Sequence, residues 1–153
     1  GGGGGLVSTM KDYYRFCQCI LNGGSLDGAM ILSPSTVNWI GSNHLPDHKH
    51  MRDMPAPIEG YSEITAPGTG FGLGFSVVVD PASSGQISSK GDMAWGGAAN
   101  TGFWLDREQD MVVIYMTQVM QQDRMKNPIR ALLGNLSHGA VLPSSAGGAR
   151  ARL

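Results

Sequence analysis

Only two of the 153 residues are cysteine, Cys17 and Cys19. Two positions apart on a helix, their side chains diverge by about 200° and cannot bridge one another. No disulfide framework holds this chain, which suits a compartment that does not depend on one. A C-x-C metal site would need further ligands close by, and none adjoins it, so both read as small helix-packing hydrophobes. Charge is also scarce: 15% of residues carry it, and 11 Lys and Arg against 12 Asp and Glu leave a formal net charge of −1. That balance offers no clustered basic footprint, so neither nucleic acid nor an anionic membrane surface is an expected partner. No apolar run approaches the roughly 18 to 20 residues that span a bilayer, and the N-terminus lacks the basic-then-apolar pattern of a leader. What the chain does have is a 41% hydrophobic content. That suits one globular domain burying roughly two-thirds of its chain surface.

After five glycines, which suggest a segment of something longer, Met10, Tyr13, Tyr14, Cys17, Ile20 and Leu21 recur at three- and four-residue steps. This spacing predicts a helix from Thr9 to Leu21 with Ser8 or Thr9 as N-cap, Asp12 in the first turn and Asn22-Gly23-Gly24 as the stop. Ser33 followed by Pro34 starts a second helix that runs through Gly41. Residues 42 to 69 show no sustained period and read as a long loop. Four strands are then expected: Gly72–Val79 ending in an Asp80-Pro81 turn, Ser88–Trp95, Gly102–Leu105 and Met111–Gln118. Asp106 to Asp110 form the hairpin between the last two, and the unbroken apolar run from Met111 to Met116 predicts burial on both faces. Asn127 caps a last helix from Pro128 to about His138, with an apolar stripe of Ile129, Leu132, Leu133 and Leu136. The Ser, Ala, Gly and Arg tail, 143–153, is expected to be disordered. The fold class is therefore α+β, an antiparallel sheet covered by helices over residues 1–142.

Two motifs raise chemistry. Ser8-Thr9-Met10-Lys11 is a literal S-x-x-K, the spacing of nucleophile and base in serine β-lactamases and penicillin-binding proteins. Such a serine needs a second polar motif, Y-x-N or S-x-N, before the substrate-lining strand, and none stands in register between Lys11 and Trp95. Ser8 therefore reads as an N-cap. The second motif is Trp95-Gly96-Gly97-Ala98 within Lys90 to Thr101, and here the chain resembles the C-terminal part of β-lactamase-related serine hydrolases, close to class C β-lactamases and family VIII carboxylesterases. Four further stretches agree in order: Gly2 to Thr9 with Asp12-Tyr13 and Arg15-Phe16; Ile31 to Pro34; Gly70 to Phe75; and Gly102 to Asp106 leading to Met116-Thr117-Gln118.

The resemblance implies a partial β-lactamase/transpeptidase-like fold whose nucleophile, Lys partner and Tyr lie upstream of this segment, so that the chain alone is inactive. It implies that Trp95-Gly96-Gly97 stand where that family has K-T-G, lining the substrate, and that Ala98 supplies an oxyanion-hole N–H. Trp95 in place of Lys removes a cation and offers an apolar wall, favouring neutral esters among the small-molecule ester or amide substrates of the intact protein. No cofactor is expected. The remaining features have plainer readings. His44, His48 and His50 with Asp47 and Asp53 lie in a proline-rich loop that rims the pocket, not on a metal-binding scaffold. Gly68 to Gly74 fits no phosphate-loop pattern and enters a strand. Asn135-Leu136-Ser137 is a glycosylation triplet inside a helix and is discounted. A non-catalytic module binding a small ligand or a partner through a hydrolase-like half-fold is the alternative. A sheet missing its neighbouring strands would leave an open edge through which the chain self-associates.

Overall fold

The computed structural model describes residues 5–54, 67–120 and 129–142. The expected Asn127 cap and the tail 143–153 lie outside the described residues. In chain order the elements are α1 (Met10–Leu21), a small hairpin of β1 (Ser25–Leu26) and β2 (Ala29–Met30), α2 (Pro34–Ile40), β3 (Thr69–Phe71), β4 (Ser76–Val78), α3 (Pro81–Ser84), β5 (Met93–Gly96), β6 (Gly102–Asp106), β7 (Met111–Tyr115) and α4 (Ile129–Gly139). Strands β3 to β7 form one antiparallel sheet in sequence order. The α+β plan is as expected, and no helix among the described residues is long and apolar enough to cross a membrane.

Several expectations are corrected in detail. Thr9, not Ser8, caps α1: its hydroxyl accepts from the Asp12 N–H and donates to the Asp12 carboxylate, while Ser8 is exposed and makes one long contact to the Thr9 carbonyl. The strand expected from Gly72 to Val79 is only Ser76–Val78, because the residues from Gly72 to Phe75 turn the chain back from β3, a strand that precedes the expected one. Asp80 is not a turn residue but the cap of α3, accepting from the Ser83 N–H. The strand placed at Ser88–Trp95 begins only at Met93. All five residues of β7 are half-buried, not enclosed on both faces. Ser33, by contrast, caps α2 as its sequence predicts.

Strand alternation gives the sheet two unlike faces. One carries Val77, Met93, Phe103 and Leu105, with Val112 and Ile114 partly buried, and packs against Cys17 and Ile20 of α1 and Val37 of α2. Phe103 anchors it, with Tyr13 edge-on at 5.1 Å and Phe75 at 5.9 Å. Each such side chain contributes about 1.5–3 kcal/mol through burial, so this face holds most of the stability. Cys17 is fully buried, which pushes its thiol up to about 12.

The other face is mostly small or polar, with Trp104 the exception: Ser76, Ala94, Gly96, Gly102, Trp104 and Asp106 point the opposite way by alternation. Helix α4 covers it with Arg130, Gly134 and His138, which share a cavity with these strands. That corrects the apolar stripe in part: Ile129 and Leu133 are half-buried, but Leu132 is 54% and Leu136 69% exposed, so α4 turns these two leucines outward and the i, i+4, i+8 row of Arg130, Gly134 and His138 inward. We expect Thr9→Ala to lower unfolding free energy by about 1 kcal/mol and Ser8→Ala to change it by less than about 0.5 kcal/mol, read from denaturant midpoints.

Candidate functional site

Beyond Asp92 the chain enters β5, whose Met93 and Ala94 pair with β4 on one side. Its residues Trp95 and Gly96 continue to pair with β6, opposite Phe103 and Gly102, but β4 goes no further. The far edge of β5 at Trp95-Gly96 is thus left without a described strand. The Trp95 ring stands T-shaped to Phe71 at 5.3 Å, which fixes it as a wall beside this edge.

The connection to β6 is a three-residue hairpin loop. Gly97 N–H donates to the Thr101 carbonyl at 3.0 Å, Asn100 N–H donates to the Gly97 carbonyl at 3.1 Å, and Asn100 sits at φ +61°. A tight turn followed by a left-handed residue is a common way to close such a loop, and asparagine tolerates that conformation. The turn is pinned from outside as well: Ala99's carbonyl accepts from the Thr117 hydroxyl at 2.5 Å and from the Val119 N–H at 3.2 Å. In this arrangement the Ala98 N–H lies outside the turn's own hydrogen bonds and donates to no described group.

A residue absent from the sequence reading holds the turn in place. Arg130 of α4 donates from Nη2 to the Thr101 carbonyl at 2.9 Å and to the Gly97 carbonyl at 3.2 Å, and from Nε to the Tyr115 hydroxyl at 2.9 Å. The guanidinium fork bridges both arms of the hairpin and the neighbouring strand. Two glycines make room for it. A Cβ at Gly96 would run into the Arg130 guanidinium, and one at Gly102 would run into the Tyr115 ring. Gly96 therefore keeps the strand backbone bare and admits the clamp.

On the core face a cleft of about 220 Å³ opens beside the motif, lined by Tyr13, Trp95, Gly97, Thr101, Ile114 and Met116 among others. Burial, and next the neighbouring Cys17, push the Tyr13 phenol up to about 12, so it is a neutral phenol at ordinary pH. The sequence-predicted residues Trp95, Gly96, Gly97 and Ala98 thus come together on one strand end and turn. Ser8 and Lys11 are exposed at the start of α1 and line neither this cleft nor the cavity beneath α4. His44 bonds to the Trp39 carbonyl, and His50 pairs in a capping arrangement with Asp53, so the loop histidines serve the loop. Tyr13 had a signal in the α1 apolar period; Arg130 had one only in its spacing to Gly134 and His138.

A sequential antiparallel sheet between helices, with a bare glycine strand leading into a tight turn, is the sheet part of a β-lactamase/transpeptidase-like fold. Solved structures agree. EstCE1, described as a hydrolase with promiscuous acyltransferase activity, superposes with a TM-score of 0.69 at 21% identity over 90% of this chain and 32% of its own. The simvastatin synthase LovD of Aspergillus terreus superposes with a TM-score of 0.61 at 16% identity, covering 83% of this chain and 32% of its own. The chain belongs to the beta-lactamase family: that family's model matches residues 1–136. Protein Rv1367c of Mycobacterium tuberculosis strain H37Rv and the uncharacterized protein MT1414 of strain CDC 1551 are each 36% identical over 122 residues, 76% of this chain. The chain spans 28% of the length of those two relatives.

Gly96→Ala must displace the Arg130 head from its bonds, so we expect a loss of about 1–3 kcal/mol in the otherwise unaltered protein. In an Arg130→Ala background the same change should cost less than half as much. Equal costs in both backgrounds, in a double-mutant cycle of urea midpoints, would show that Gly96 and Arg130 are uncoupled.

Proposed function

We propose that this chain forms the oxyanion side of a serine acyl hydrolase whose nucleophile and base are not among residues 1–153. The observation that carries the reading is the Ala98 N–H, which donates to no described group and stands second in a turn that Arg130, Thr117 and Val119 hold from outside. Acyl transfer converts a carbonyl carbon to a tetrahedral centre and puts negative charge on its oxygen. An amide N–H fixed in advance stabilises that charge without reorganising as it forms, and one such donor is worth about 3–4 kcal/mol in the transition state.

The rest of the site fits the same role. The edge of β5 at Trp95-Gly96, beside which no described strand lies, gives an extended substrate a backbone to lie against. The cleft beside it, near 220 Å³, is smaller than the about 300–1,000 Å³ that encloses a whole small molecule, as expected of one wall of a divided site. Its apolar lining by Trp95, Ile114 and Met116 favours a neutral acyl ester over a carboxylate-bearing substrate. Hydrolysis and acyl transfer, the activities in the descriptions of EstCE1, differ only in whether water or an alcohol takes the acyl group from the enzyme. The Ser8 hydroxyl is exposed at a helix start that Thr9 caps, which suits surface solvation and not attack on substrate.

Two measurements test this. Residues 1–153 alone should turn over neither p-nitrophenyl butyrate nor nitrocefin above background and should not label with a fluorophosphonate; activity abolished by Ser8→Ala would contradict the reading. In a full-length protein carrying this chain and its nucleophile, Ala98→Ser should keep kcat within about tenfold because the N–H survives. Ala98→Pro removes it and should lower kcat by about 10²- to 10³-fold with the circular dichroism spectrum unchanged. Full activity in a folded Ala98→Pro variant would remove this turn from the mechanism.

A further inference from the structure

Beneath α4, on the sheet face away from the cleft, lies a cavity of about 180 Å³. Three buried polar atoms on residues that line it have no hydrogen-bond partner among the described residues: Asp92 Oδ1, Trp104 Nε1 and His138 Nε2. Buried polar atoms are seldom left unsatisfied, so these point to an occupant: Asp92 and His138 can ligate a cation, whereas the Trp104 N–H, a donor only, can be met by an acceptor such as a water on that cation.

The chemistry of the three side chains that converge there narrows what it is. His138 Nδ1 lies 2.9 Å from the Gly134 carbonyl, which can only accept, so Nδ1 carries a proton. Nε2 is the ring nitrogen turned to the Asp92 Oδ2 at 3.0 Å and the Asp106 Oδ2 at 3.2 Å. Asp106 is already committed as an anionic acceptor, with Oδ1 taking the Glu108 and Gln109 N–H groups at 2.8 and 2.9 Å and Oδ2 taking the Ser89 hydroxyl at 2.6 Å. The side chains of Asp92, Asp106 and His138 are 5%, 0% and 6% exposed, and their ligand atoms lie within 4.8 Å of one another. Two carboxyl groups and an imidazole nitrogen gathered out of water call for a positive centre among them, a proton or a metal ion.

A proton on Nε2 would bond along the ring axis, and neither carboxylate oxygen is well aligned with it, although both stand within ion-pair distance. A metal is a better match. Zinc bound to N and O at about 2.0–2.2 Å in a tetrahedron sets neighbouring ligand atoms about 3.4 Å apart, close to the two observed separations. The outer contacts also suit it: the Gly134 carbonyl fixes the imidazole tautomer, and Ser89 with two backbone N–H groups orients Asp106.

We propose that Asp92, Asp106 and His138 form a binding site for a divalent transition metal of the zinc type, its fourth position opening into the cavity beneath α4. An imidazole among the ligands favours such an ion over magnesium or calcium. The site ties the last turn of α4 to the ends of β5 and β6, two helical turns from Arg130, and so holds the helix that clamps the Gly97–Thr101 turn. Its role is positional, and the proposal stands whether or not the protein is a hydrolase.

The test is a titration of the purified, metal-stripped protein with zinc and, separately, cobalt. We expect one zinc per chain by calorimetry and elemental analysis, a raised melting temperature, and the intense visible bands of four-coordinate cobalt. On zinc addition the His138 Nε2 resonance should move in ¹⁵N spectra. Asp92→Asn and His138→Gln should weaken binding beyond the about 10- to 100-fold that loss of an outer-sphere partner costs, whereas a His44→Gln, His48→Gln, His50→Gln triple variant should bind normally. No zinc uptake at micromolar concentration, a pale six-coordinate cobalt spectrum, or loss of binding in the triple variant would overturn the site. Should the two ligand variants not fold, the cobalt spectrum and the His138 resonance of the unaltered protein decide it.

Discussion

One guanidinium does work that the apolar core cannot. Hydrophobic packing of α1 and α2 against Val77, Met93, Phe103 and Leu105 stabilises the sheet, but it is non-directional and does not aim an amide. Arg130 is directional: its planar fork meets the Gly97 and Thr101 carbonyls and the Tyr115 hydroxyl together. Charged hydrogen bonds of this kind are about twice as strong as neutral ones, and they fix position as well as energy. The arrangement demands that Gly96 and Gly102 have no side chains, so the glycines, the arginine and the helix that carries it are one constraint.

This constraint explains why the two faces of the sheet differ so sharply. The core face is built from large apolar side chains that close-pack with helices. The α4 face is built mostly from small and polar ones beside Trp104; Arg130 bonds the helix to it near its start, and His138 stands within 3.0 and 3.2 Å of Asp92 and Asp106 near its end. Burial, and next the adjacent Asp106 carboxylate, drive the Asp92 carboxyl well above the usual range, against the pull of His138. Meanwhile Leu132 and Leu136 look outward, and β7 has no partner on its outer edge among the described residues. We propose that these surfaces are covered in a full-length protein and are where isolated copies of this chain would associate.

Much of this was legible in the residues. Period and capping chemistry gave α1 and α2 nearly to the residue, and the polar run from Asp106 to Asp110 marked the β6–β7 hairpin. Trp95 and Gly96 lie on the strand expected of them, whereas Gly97 and Ala98 lie in the turn that follows it. The failures share a cause. Sequence periodicity reports where apolar side chains repeat, but it cannot say which face a neighbour will cover. Ile129, Leu132, Leu133 and Leu136 repeat correctly for a helix, yet α4 seats its polar row because the sheet beneath offers glycines, Asp92 and Asp106 in place of an apolar floor. The same limit hid the Asp92, Asp106 and His138 cluster, whose members stand 14 and 32 positions apart and meet only through strand register and helix placement. Gly72 and Gly74 were read as strand entry because Phe71, Phe75 and Val77 continue the alternation across a turn.

The central claim is that Arg130 fixes the turn that presents the Ala98 amide. Native-state amide hydrogen exchange on the Arg130→Met variant and the unaltered protein tests it most directly, following the Gly97 and Asn100 amides bonded within the turn and the Leu105 amide in the middle of the sheet. If the account is right, protection at Gly97 and Asn100 falls while Leu105 keeps its own. Unchanged protection at Gly97 and Asn100 in a variant that lacks the guanidinium would contradict it.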